Sequence, residues 1–255
     1  MKQYNILDYG AIADGVTNNA AAIQQAIDEA SAEGGRVVIP QGKYLSGTLV
    51  LKSNIDFHLE KGAVLISSLN QEDIMDFAKL FEDDNACTGW DGGCFLFACH
   101  EENITISGEG VIYGQGDKVF IDDDVDGGAH ECPLSVAAFR PRTTFLEDVT
   151  NLTVRDITIQ DAAFWTLHMA GCHYVRVQDI KILNDVRGAN NDGIDPDCCK
   201  DVLITGCLVK TGDDAIVIKT TKPMTQRYGA SENIVISNCI LYSHDSALKI
   251  GTETH

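Results

Sequence analysis

Apolar residues follow one period near the start of the chain and a different one after it. In "AAAIQQAIDEASAEGG", which begins at Ala20, Ile23 and Ile27 stand four apart, so both fall on one face of a helix. Thr17, Asn18 or Asn19 can cap that helix, and Gly34 with Gly35 can stop it. Beyond it the helical period disappears. Short runs that alternate apolar and polar residues take over: "GRVVIPQGKYL", "GTLVLKSNIDFHLEKGAVLISS", "NITISGEGVIYGQG", "NLTVRDITIQ", "YVRVQDIKIL", "DVLITGCLVK" and "NIVISNCILY". Period-two alternation between Gly, Asn and Asp turns predicts β-strands. Two acidic, irregular stretches, about 70–100 and 117–135, read as long loops on one domain rather than linkers to a second.

The strands also repeat. Aligned on their V/L-x-V/I cores, the late ones place Ile157, Ile180, Cys207 and Cys239 in one column, where cysteine serves as a small apolar residue. "WTLHM", "DGIDP", "DAIVI" and "SALKI" then fall on one another. This stacks Leu167, Ile194, Ile216 and Leu248 as an inward column, and Trp165, Asp192, Asp214 and Ser246 as another. Thr166, Gly193, Ala215 and Ala247 between them are all small. Several short strands in each unit of roughly 20–30 residues predict an all-β, single-stranded, right-handed parallel β-helix, a solenoid, over 1–255. The helix near its start would cap the open first coil. The chain is expected to be incomplete at its C terminus, because "ALKIGTETH" stops inside a coil.

Charge narrows the partners. The net charge is −19, against a nucleic-acid ligand, which needs a basic surface. An anionic sugar polymer would need local Lys or Arg in its cleft. No apolar run approaches the ~20 residues of a membrane span, and "MKQYNILDYG" has no apolar signal-peptide core. Nine cysteines are an odd number, adjacent only at Cys198 and Cys199. They are expected to be reduced, which fits the cytoplasm; an exported protein that has lost its signal would look the same.

The candidate chemistry lies in "NNDGIDPDCCKDVLITGCLVKTGDDAIVIKT", from Asn190 to Thr220. Adjacent strands in a stacked coil lie ~4.8 Å apart, so Asp192 and Asp214 become neighbours, with Asp213 beside them. Crowded carboxylates raise one another's pKa, and a purely structural sheet gains nothing from that. Asp195, Asp197 and Asp201 are instead expected to be turn residues. A metal site is the competing reading for such a cluster; no metal and no cofactor is expected.

With these residues assembled, the chain resembles glycoside hydrolase family 28, the polygalacturonase family. "NNDGID" followed 22 residues later by "GDD", together with "GTLVLKSNIDFHLEKGAVLISS" and "RPRTTFLEDVTNLTVRDITIQDAAFWTLHMAGC", carries the resemblance. It implies Asp213 as the general acid that protonates the glycosidic oxygen. It implies Asp192 and Asp214 as a shared base for the attacking water, and Asn190 as a residue that holds the site by hydrogen bonds. It implies inversion, for which an acid–base gap of ~6.5–9.5 Å leaves room for water. The family's Gly-His-Gly is replaced here by "SHDSALKIG", which puts Ser246 in the His column. The family's Arg-x-Lys would lie beyond His255.

Lys219 and Lys249 are candidates to meet a substrate carboxylate as point charges. Glu253 is a candidate to bind sugar hydroxyls, and Trp165 to stack on a sugar or fill the core. No role is assigned to His168, His173 or His244. The function this supports is an inverting glycosidase on pectic or related polysaccharide, with a carbohydrate partner and neither nucleic acid nor membrane. A polysaccharide lyase on the same fold and a non-catalytic glycan-binding β-helix are the alternatives.

Overall fold

The structure, a computed structural model, describes residues 1–75, 93–122 and 133–255. Among these, one sheet of 13 strands and one of 8 run along a solenoid, with every strand paired in parallel to its equivalent one coil away. The coil winds right-handed, as parallel crossovers do. Phe120–Ile121 and Ser135–Val136 form a separate antiparallel pair.

The columns expected from the repeat are present. Leu167 pairs with Ile194, Ile194 with Ile216 and Ile216 with Leu248. Ile157, Ile180 and Cys207 are buried in one core cluster, and Cys239 packs against it. Each fully buried Ile or Leu contributes roughly 1.5–3 kcal/mol, so a repeated inward column is the main source of stability. The seven cysteines among the described residues are unbridged. Inward thiols donate to carbonyls of the preceding coil, Cys172 to Leu146 at 3.1 Å and Cys199 to Met169 at 3.2 Å.

The first helix, α1 (Ala20–Glu33), buries Ile23, Ala26, Ile27 and Ala30 on the first coil. Asn19 stands at its N-cap, but its side chain does not cap the helix. Its carboxamide accepts from Ile12 N–H at 2.6 Å and donates to Leu45 C=O at 3.1 Å, tying the helix entry to the coil.

One element carries no period in the sequence and one boundary moves. Within "KPMTQRYGA", Lys222–Tyr228 forms a second helix, α2. A seven-residue helix is too short to show a period, and Met224 is its only buried residue. Met224 sits on Phe97, Phe145, Ala170 and Cys198, on the outer face of the coils. Tyr228 Oη and Arg227 Nη1 both donate to the buried Glu147 Oε1, at 2.7 and 3.1 Å. The irregular stretch expected to reach residue 100 ends sooner, because the strand Cys94–Gly108 begins inside it. Most of the two irregular stretches lies outside the described residues.

Corners are made by left-handed residues in register. Asn54, Asn103, Asn151, Tyr174, Asp201 and Asn233 all have φ between 54° and 63°. Asn103 donates to Asn54 at 2.9 Å, Asn151 to Asn103 at 2.8 Å and Asn233 to Asp201 at 3.0 Å. Asn and Asp tolerate this conformation better than other residues with a Cβ. Tyr174, 60% exposed at φ 54°, interrupts the ladder. Tyr174→Asn is therefore expected to stabilise the fold by about 0.5–1 kcal/mol, through relief at φ and one amide bond to Asn151. Urea denaturation would check it, with the midpoint moving up and the slope unchanged.

Candidate active site

The site is built at one corner of four successive coils. Thr166 N–H donates to Asp192 C=O, Gly193 N–H to Asp214 C=O and Ala215 N–H to Ser246 C=O, at 3.0, 2.8 and 2.8 Å. This ladder stacks Trp165, Asp192, Asp214 and Ser246, as the repeat requires. Gly193 has no room for a side chain, since a Cβ there would lie 2.4 Å from Ala215 O and 2.5 Å from Val209. One oxygen from each of Asp192, Asp213 and Asp214 lies within 4.8 Å of the others.

The corner is held by a residue that the sequence reading passed over. Asn191, fully buried, accepts from the N–H groups of Gly212 and Asp213 at 2.8 and 3.1 Å. Its amide donates to Asp185 C=O at 2.8 Å. Asn184 donates to Asn191 C=O at 3.0 Å and to Thr166 Oγ1 at 2.8 Å. Thr211 and Ser243 hydroxyls both donate to Asp213 C=O, at 2.6 and 2.7 Å. Asn190, expected to hold the site, accepts from Arg140 Nη2 at 2.9 Å. Of the two adjacent amides, Asn191 is the fully buried one.

Two lysines enter the acidic cluster. Lys219 Nζ is 3.3 Å from Asp192 Oδ2 and 3.9 Å from Asp195 Oδ1. Lys249 Nζ is 3.1 Å from Asp214 Oδ2 and 3.2 Å from Asp245 Oδ2. Both lysines were candidates for a substrate carboxylate, and both are engaged with the protein's own acids. Three clustered carboxylate oxygens suit a divalent cation, but here the ammonium groups already supply positive charge.

Burial raises the pKa of Asp192 to about 7, with Lys219 pulling it down and Asp213 and Asp214 pushing it up. Asp214 is raised by burial too, against the opposing pull of Lys249. Asp195 is raised well above its ordinary value, by burial and then by Asp192. Lys219 would be lowered by its burial, but Asp195, Asp192 and Glu253 together hold it above its usual value.

Asp195 and Asp197 are not turn residues. Both lie in the strand Ile194–Asp197 and are fully buried. Asp197 anchors the start of α2, accepting from Thr221 N–H at 2.8 Å and Thr221 Oγ1 at 2.7 Å. Asp195 accepts no hydrogen bond from a described residue. Asp201 does lie at a left-handed corner, as expected. His168, beside Asp197 at 3.5 Å, is lowered by burial to about 4 and is neutral at neutral pH.

Aromatic and cationic side chains line the preceding coils. Trp165, half-buried, stacks on Phe164 at 5.6 Å, with the Lys219 ammonium 4.5 Å and the Arg142 guanidinium 4.8 Å from its ring centre. Arg140 lies 4.5 Å over Phe164 and donates to Ala189 C=O at 2.6 Å. Glu253 is half-buried in the strand Leu248–Thr254, near enough to Lys219 to act on its charge. Ser246 ends the column, and its hydroxyl makes no contact that points to a role.

Residues 35–242 match the sequence profile of Glycosyl hydrolases family 28. The chain belongs to that family. It is 27% identical over 299 aligned residues to an exo-poly-alpha-D-galacturonosidase of Dickeya chrysanthemi, covering 99% of this chain and 48% of that protein. It is 29% identical over 197 residues to rhamnogalacturonase A of Aspergillus niger, covering 76% and 36%. A hyperthermoactive exopolygalacturonase from Thermotoga maritima superposes with a TM-score of 0.80 at 26% identity, over 99% of this chain and 63% of that one. The chain thus spans about half the length of the curated relatives it matches.

In this family 28 chain the acidic cluster carries a folding cost with a definite pH dependence. Asp192 has a folded pKa of about 7, above its usual 3.8. Its protonated form is therefore favoured by folding, and that stability is lost as pH rises from about 4 through about 7. Asp192→Asn lacks this loss. Relative to the unsubstituted protein it should melt several degrees higher at pH 8 and show little gain at pH 4, read by thermal unfolding at the two pH values. A constant difference across the range would contradict the burial-raised pKa.

Proposed function

We propose that this family 28 chain hydrolyses glycosidic bonds of pectic poly- or oligosaccharides, with inversion, using Asp213 as general acid and Asp192 with Asp214 as general base. The observation that carries the assignment is the placement of the lysines. Asp192 and Asp214 each have an ammonium within 3.3 and 3.1 Å. Asp213 has no cation within 4.0 Å among the described residues, and its Oδ1 accepts only from Asp214 N–H, at 2.9 Å. A general base gains from a cation beside it and a general acid has no need of one, so the lysines separate the two roles by position.

The attacking water fits between the two bases. Hydrogen bonds of ~2.7 Å to each carboxylate let one water span up to about 5.4 Å, and the oxygens lie within 4.8 Å. One oxygen of Asp192 and one of Asp214 accept no hydrogen bond from a described residue. A water held by this carboxylate pair would attack from the side opposite the leaving group, as inversion requires.

A uronic acid substrate is supported by the charge distribution. The chain carries −19 overall, yet Arg140 and Arg142 stand beside this corner, over the rings of Phe164 and Trp165. The relatives, an exo-poly-alpha-D-galacturonosidase and a rhamnogalacturonase among them, support the same class. The lyase alternative needs a lysine or arginine base, whereas both lysines at this cluster are bound to acids.

Asp213→Asn is expected to lower kcat on natural pectic oligosaccharides by about 10²- to 10⁴-fold. It should retain much of the activity on glycosides whose leaving group needs no proton, whereas Asp192→Asn and Asp214→Asn should show no such rescue. Proton NMR of the first-formed product should show the inverted anomer. Full activity of Asp213→Asn on the natural substrate would sink the acid assignment, and a retained anomer would sink the water-bridging pair.

A further inference from the structure

Asp195 is a fully buried acid at the site to which the proposed reaction gives no work. It is 0% exposed, and neither of its oxygens accepts a hydrogen bond from a described residue. The cation closest to it in the structure is Lys219, itself 5% exposed. Lys219 also faces Asp192, and that contact is shorter, 3.3 Å against 3.9 Å. One ammonium therefore stands between two buried carboxylates.

Two buried anions cannot both be balanced by one cation. An isolated buried carboxylate costs several kcal/mol and takes up a proton instead. The proton goes to the acid with the weaker cation contact and no hydrogen-bond donors, which is Asp195. The lysine's charge is then left for Asp192.

We propose that Lys219 is a positioning residue for Asp192 rather than a hand for substrate. Asp195, uncharged, is the third member that keeps the lysine buried and aimed. The proposal rests on the reading of Asp192 as a general base. It replaces the expectation that Lys219 meets a substrate carboxylate.

The surroundings support this charge assignment. Around Asp192 stand Asp213 and Asp214 from the next coil's corner, and the charge of Asp214 is met by Lys249, which also holds Asp245. Trp165 lies under the Lys219 ammonium, and Arg142 approaches the same ring. Glu253 acts on Lys219 from the last strand. His168 pairs with Asp195 in strand register but is neutral. Asp197, in register with Lys219, spends its oxygens on Thr221. Lys219 is thus the one positive charge within ion-pair distance of Asp192 and Asp195 among the described residues.

The test reads the carboxylates directly. Aspartate side-chain carboxyls are labelled with carbon-13 and titrated by NMR in the unsubstituted protein, Lys219→Met, Lys219→Arg and Asp195→Asn. The titration midpoint of Asp192 should rise by at least about one pH unit in Lys219→Met, a tenfold shift in the ionised fraction. It should stay near its original value in Lys219→Arg. Asp195→Asn should delete a carboxyl signal that remains protonated at neutral pH. With pectic oligosaccharides, Lys219→Met should move the acid limb of the kcat/KM profile upward by the same amount, with KM changed less than about threefold. An unmoved Asp192 midpoint, or a large rise in KM with the limb in place, would overturn the proposal in favour of a substrate-binding lysine. So would loss of an ionised signal in Asp195→Asn. If Lys219→Met does not fold, the Asp195→Asn titration alone decides whether that acid is the uncharged one. The titrations need no turnover, so they separate this proposal from the glycosidase reading: a chain inactive on every pectic substrate with the predicted midpoints would refute only the latter.

Discussion

In-register pairing of successive coils is the constraint on which everything else hangs. Once Ile194 pairs with Ile216, the residues two positions earlier, Asp192 and Asp214, must stand side by side. No loop search or side-chain rearrangement is needed. A slip of one residue would turn every inward side chain outward, so the buried column of Leu167, Ile194 and Ile216 enforces the spacing of the acids. The stability of the core and the geometry of the site are one restraint seen from two sides of the sheet.

That restraint brings like charges together, and the rest of the corner offsets the consequence. Asn191 fixes the backbone of Gly212 and Asp213. Lys219 arrives on the strand Ile216–Thr220, one coil beyond Asp192. The end of that strand is fastened by Asp197 through Thr221, where α2 begins. α2 is in turn clamped by Glu147, 80 residues from Arg227 in sequence. The lysine's position is therefore set by packing on the outer face of the solenoid, well away from the carboxylates it serves.

This explains what could and could not be read from the residues. The solenoid was legible because its columns are written in hydrophobic identity every 22 to 32 residues, and the acids were legible because Asp192 and Asp214 share one column with Asp213 beside them. Asn191 was not, since two adjacent asparagines look alike until one is buried. Asp195 and Asp197 looked like turn formers, because Asp is common in turns and nothing local reveals that a strand is covered on its outer face. Over Asp197 the cover is α2, whose seven residues carry too little periodicity to be seen. Arg140 and Arg142 sat in a recognisable stretch, "RPRTTFLEDV", but their nearness to Trp165 and Asn190 follows from coils wound 20 to 50 residues later. Lys219 and Lys249 were found by position, but the acids they pair with, Asp192 and Asp214, were not, since sequence shows the charge but not which acid it reaches.

The contrast between the whole chain and its site follows from the range of the two effects. A net charge of −19 acts across solvent, where salt screens it within about 8–10 Å. Lys219 is 5% exposed, and screening by solvent ions hardly reaches a buried group. An anionic sugar approaching the surface meets a repulsion that salt can remove; one seated at the corner meets fixed positive charge that salt leaves intact. Within the corner the cations divide by what they touch. Lys219 and Lys249 lie against carboxylates of the site, whereas Arg140 and Arg142 lie over the rings of Phe164 and Trp165. Replacing Lys219 would therefore act on Asp192, whereas altering the surface acids would change only the approach of an anionic sugar.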